Sequence, residues 1–90
     1  MAIGRHEARA AAEGELDRGI RTSLRQPVSI DDGATQETAD VFVFFYNTVA
    51  FLETGEVKHA LAGNGPVIVD RATGACRVAG SGRPWTEQLP

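Results

Sequence analysis

Six consecutive residues, Val41-Phe42-Val43-Phe44-Phe45-Tyr46, constrain the fold of this chain more than any other stretch. All are β-branched or aromatic, the composition of a strand. Alternation along a strand sends Val41, Val43 and Phe45 one way and Phe42, Phe44 and Tyr46 the other. Both faces are therefore apolar, and a strand of this kind needs cover on both sides. A fold for this chain must lay something against each face, or leave one as a surface for a partner.

The N-terminal segment supplies one layer. Ala8, Ala12, Leu16, Ile20 and Leu24 recur every four residues and predict an apolar stripe on a helix from about Ile3 to Leu24. Gly14 and Gly19 each weaken it by about 1 kcal/mol relative to alanine, and Pro27 ends it. Val28-Ser29-Ile30-Asp31 alternates with period two and reads as a half-buried strand, and Asp31 to Thr38 reads as a polar loop. Glu56 to Ala62 suits a short helical turn closed by Gly63. Pro66, which has no amide to donate, fits the start of a strand. Val67–Val69 and Cys76–Val78 then pair as a hairpin, its turn opened by Asp70 and given positive φ by Gly74. Pro84 to Leu89 suits a last helical turn. The expected fold is α+β: an N-terminal helix packed on a four-stranded antiparallel meander sheet, with short helical turns between strands two and three and at the C-terminus. The 90 residues make a single domain, 1–90.

The net charge of −3 argues against nucleic acid as the main partner. The longest apolar run is far below the roughly 20 residues that span a bilayer, so no membrane is expected. The start of the chain lacks the pattern of a secretion signal, and the single Cys76 has no internal partner; both fit the cytoplasm. Residues 27–55 hold Asp31, Asp32, Glu37, Asp40 and Glu53 and no Lys or Arg. With Glu56 they form a candidate face for a basic partner, weighed against a plain solvated surface. Phe42, Phe44 and Tyr46 are the other contact candidates, weighed against the commoner outcome of burial in a core. One helix covers one face of a sheet, so pairing with a second copy stays open.

Catalytic chemistry has little to build on. Arg77 beside Cys76 could lower the thiol pKa, but a buried thiol acting as a small hydrophobe outweighs that reading. His6 and His59 stand far apart, with no further ligands at zinc spacing. The Gly63–Pro66 segment lacks the lysine and the following helix of a phosphate loop. No metal, no cofactor and no enzyme activity are expected.

Three motifs add a resemblance: FLETG at Phe51–Gly55, LAGNGP at Leu61–Pro66 and VIVDRATG at Val67–Gly74. With the preceding VFVFFYN at Val41–Asn47 and an N-terminal helix, the chain resembles the YrhB-type family, also described as the immunity protein 35 domain. The resemblance implies a small cytoplasmic bacterial protein without catalytic machinery that binds and blocks a cognate toxin. On that expectation the contact surface is the acidic set together with the open sheet face carrying Phe42, Phe44 and Tyr46. The alternative is a holdase-like protein that shields apolar segments of other proteins, motivated by the two-sided apolar strand.

Overall fold

The computed structural model describes residues 2–61, 65–80 and 84–88. Helix α1 spans Arg5–Arg18 and buries Ala8, Ala12 and Leu16, as the four-residue stripe predicts. At Gly19 the backbone leaves helical geometry (φ −110°, ψ −106°) and resumes as a single turn, α2, over Ile20–Ser23. The predicted helix is thus two, divided at the residue that loses most freedom by becoming helical. The stripe survives the break, because Ile20 and Leu24 pack against the same core.

Four short strands follow: β1 (Val28–Ile30), β2 (Gln36–Glu37), β3 (Val41–Phe44) and β4 (Tyr46–Thr48). Then come helix α3 (Val49–Thr54), a 3-10 turn at Val57–His59, and the hairpin of β5 (Val67–Asp70) and β6 (Cys76–Val78). One antiparallel sheet has the order β2-β3-β5-β6, and β1 pairs with β4 in a separate ladder. Their registers show how the two ladders are joined. Val28 pairs with Thr48 and Ile30 with Tyr46, while Gln36 pairs with Val43 and Glu37 with Phe42. The Phe45 and Val41 carbonyls accept from the Asp31 and Thr38 amides on this side, and the Asp40 carbonyl accepts from Arg71 on the other. Residues 41–48 are therefore one extended run. β1 and β2 are two halves of its neighbour, separated by a three-residue excursion, the 3-10 turn Asp32–Ala34. The expected meander is met in part. Its first strand is broken in two, and the predicted polar loop holds both the excursion and β2.

The apolar alternation of residues 41–46 is borne out, with the layers assigned differently. Phe42, Phe44 and Tyr46 face α1 together with Val28, Ile30, Val67 and Val69. Val41 and Val43 face away with Ile68 and Ala79, and Phe45 and Trp85 pack against them. Trp85 belongs to a 3-10 turn over Trp85–Gln88. The Gln88 amide holds that turn in place: it accepts from the Gly80 amide at 2.7 Å and donates to the Gly80 carbonyl at 2.8 Å. The C-terminal turn thus lies on the face opposite α1. Val41, Val43 and Ile68 are all buried within one chain. The open sheet face that motivated a second copy is closed along β3 and β5.

The helical turn between strands begins earlier than the sequence suggested. Thr48 caps α3: its hydroxyl accepts from the Phe51 amide at 3.0 Å and donates to the His59 carbonyl at 2.6 Å. Asn47 Oδ1 accepts from the Leu61 amide at 2.8 Å, and Gly55 closes the helix in the left-handed region at φ 72°. Only the three-residue turn Val57–His59 falls within the predicted stretch. Gly63, read as the closing residue, and Leu89, read as part of the last turn, lie outside the described residues. Thr48→Val keeps the shape of this buried side chain and removes both hydrogen bonds. It is expected to cost about 1–3 kcal/mol, the loss of a cap plus a carbonyl left without its donor. A urea titration beside Thr48→Ser, which keeps the hydroxyl, checks this; equal midpoints for the two variants would contradict it.

Candidate protein-binding surface

Along α1, Arg5, Arg9, Glu13 and Asp17 follow one another at four-residue spacing, beside the buried stripe. Arg9 donates to both oxygens of Asp32, at 2.7 and 3.2 Å, and lies 3.8 Å from Glu13. Arg21 pairs with Glu13 at 2.8 Å and Asp17 at 3.0 Å, and donates to the Val28 carbonyl at 2.6 Å. Arg5 reaches Glu37 at 3.5 Å and the Asp32 carbonyl at 3.3 Å. Arg71, from the hairpin turn, lies 3.7 Å from Glu37, donates to the Thr38 carbonyl at 2.9 Å and stacks 4.5 Å over the Phe42 ring. Arginines and carboxylates thus alternate from the hairpin turn to α2, and Asp32 and Glu37 are neutralised rather than bare.

The hydrogen bond from Arg9 holds the Asp32 carboxyl below its usual range, and the one that Arg21 donates to Glu13 raises the Arg21 guanidinium further. A carboxyl held low in the folded chain adds stability above its unfolded pKa of 3.8 and loses it as pH falls through the folded value. The Asp32 side chain is 63% exposed, so the pair contributes about 1 kcal/mol at most. Asp32→Asn is therefore expected to lower Tm slightly at pH 7. The difference from the parent should close as pH falls below the unfolded value of 3.8 and through the lower folded one. Thermal melts across pH check this, and a gap that persists in acid would assign the effect to something other than the ion pair.

The candidate contact residues divide into three groups. Asp31, Asp32, Glu37 and Asp40 surround the excursion and β2, past the Ile30–Tyr46 end of the β1–β4 ladder. Asp31 is half-buried; Asp40 is exposed and has no ion pair among the described residues. Glu53 and Glu56 stand past the opposite, Val28–Thr48, end. Glu53 is exposed, and Glu56 pairs with Lys58 at 3.5 Å and His59 at 3.4 Å. The acidic residues form two clusters rather than one face. Phe42, Phe44 and Tyr46 are 1%, 0% and 5% exposed, so the structure corrects their reading as contact residues. Apolar burial beneath α1 removes them from the surface.

Cys76 faces α1, its thiol 3.6 Å from the Ala11 carbonyl and 3.8 Å from Glu15. Burial, then the Glu15 carboxylate, pushes the thiol pKa up. Arg77 points to the opposite face and does not act on it, so the reading of a packed thiol stands. Among the described residues no three potential metal ligands gather, and no helix is long and apolar enough to cross a membrane. Sequence reasoning missed the arginine partners of Asp32 and Glu37. The four-residue spacing of Arg5 and Arg9 was visible, but not which carboxylates they would meet.

The immunity protein 35 family model matches residues 6–89, from α1 through the C-terminal turn. The chain belongs to the immunity protein 35 family. No curated protein and no solved structure matches it. The motifs that carried the resemblance hold this immunity protein 35 fold together. FLETG is the body of α3 and its closing Gly55. In LAGNGP, Gly65 lies so close to Ala79 that a Cβ would overlap the Ala79 carbonyl oxygen and sit 2.7 Å from its carbon. The Pro66 carbonyl accepts from the Ala79 amide at 2.8 Å. In DRATG, Asp70 Oδ1 accepts from the Ala72 and Thr73 amides, at 2.8 and 3.1 Å, and Gly74 takes φ 79°.

Proposed function

We propose that this chain neutralises a cognate bacterial toxin by binding it directly, without catalysis, in the cytoplasm. The observation that carries this reading is membership of an immunity-protein family over residues 6–89. The chemistry agrees. The only thiol is held protonated by burial, and no histidine is among the groups that act on it. An unpaired cysteine stays reduced in the cytoplasm. A rigid sheet between α1 and the C-terminal turn presents a fixed surface, which lowers the ordering cost of association. Asp40 and Glu53 remain exposed for a basic partner. The holdase alternative loses its motive, because the apolar strand it relied on is buried on both faces.

Co-expression with the toxin encoded beside this chain tests the reading. Growth is expected to be restored by the chain and to fail without it, and the two proteins are expected to copurify as a stable complex. A toxin equally lethal with and without the chain would overturn the proposal.

A further inference from the structure

The four-stranded sheet ends in two unlike edges. β2 is two residues long, cut off from β1 by the excursion at Asp32–Ala34, with Glu37 tied to two arginines. Irregularity and charge of that kind discourage an added strand. β6 runs uninterrupted over its three residues and carries a single charge, Arg77. The Asp70 amide donates to the Ala75 carbonyl and the Ala79 amide to the Pro66 carbonyl, on either side of the β5–β6 ladder. By antiparallel alternation Ile68 and Arg77 are then the bonded pair, and the amides and carbonyls of Cys76 and Val78 point outward. No described strand lies beyond them. Val78 is 44% exposed on the α1 side. On the other side Arg77 is exposed and has no ion pair among the described residues. Beside it opens a mainly apolar hollow of about 150 Å³ lined by Val41, Ile68, Asp70, Ala75, Cys76 and Arg77.

We propose that β6 is the docking strand of this molecule: an extended segment of the toxin adds antiparallel to its free edge, with a carboxylate opposite Arg77 and an apolar side chain two positions along in the hollow. The outward groups of Cys76 and Val78 supply main-chain hydrogen bonds, while Arg77 and the hollow select the sequence. A second copy of this chain is the wrong occupant. The two-fold register that pairs all three residues of β6 with their copies sets Arg77 against Arg77, and like charges directly opposite are unfavourable. The identity of the partner rests on the immunity reading; the choice of edge does not.

The test uses the full chain and the toxin domain encoded beside it. Hydrogen exchange is followed at Cys76 and Val78, free and in complex, and affinity is measured for Arg77→Glu and Val78→Pro. Proline at an outward-facing edge position removes a docking amide without breaking the β5–β6 ladder. The expected result is at least tenfold slower exchange at both amides in the complex. At least tenfold weaker binding is expected from each variant, with Tm within a few degrees of the parent. A complex that neutralises the toxin while these amides exchange at the free rate overturns the edge proposal and leaves the immunity reading intact, as does parental affinity in Arg77→Glu. A chain that neither binds nor neutralises that toxin overturns both.

Discussion

Phe44→Ala is expected to lower stability by about 3–5 kcal/mol, the usual cost of emptying a fully buried aromatic site. Phe44 is 0% exposed between α1 and the sheet, and its ring centroid lies 6.3 Å from that of Phe42. A chain of 90 residues has about 5–13 kcal/mol in all, so this single change removes a large share. The prediction also separates two roles. A contact residue would leave Tm unchanged and weaken partner binding. A core residue does the reverse: Tm falls steeply, and the fraction that remains folded at low temperature binds normally. Thermal unfolding followed by circular dichroism, with affinity measured well below the transition, decides. An alanine variant as stable as the parent would contradict the packing described here.

Gly65→Ala is the second large effect, and it acts without opening a cavity. The added Cβ meets the Ala79 backbone rather than a movable side chain, so it is accommodated only if β5 and the end of β6 separate. Those strands are joined there by the bond from the Ala79 amide to the Pro66 carbonyl. Overpacking of this kind costs about 2–3 kcal/mol, a fall in Tm of roughly 10–20 °C for a domain this small. Gly4→Ala is the control, since nothing lies within 4 Å of a Cβ at that position. Equal melting temperatures for the two variants would refute the close approach.

The local signals were legible in the sequence because local chemistry decides them. The stripe at Ala8, Ala12 and Leu16 reports a period, and Asp70 with Gly74 reports a turn whose hydrogen bonds span three residues. The alternation from Val41 to Tyr46 sorted both core layers correctly, but it could not say which layer α1 would cover. That depends on contacts between residues far apart in the chain. The acidic middle segment misled for the same reason. Asp32 lies 23 residues from Arg9, and only folding reveals that the pair meets. The excursion escaped notice because a strand interrupted by a short turn and a polar loop have the same composition.

The excursion at Asp32–Ala34 also fixes how this part of the protein can vary. Ile30 and Glu37 lie on the same side of the sheet although seven positions separate them, because an odd number of residues has been looped out between the two ladders. Removing or adding one residue there, with three still looped out, would swap inside for outside, swinging Glu37 away from Arg5 and Arg71 and turning Gln36 towards them. Lengthening or shortening by two would restore the original facing. A change of length at this point should therefore either be absorbed by the excursion itself or come in even steps, a constraint imposed by the pleat.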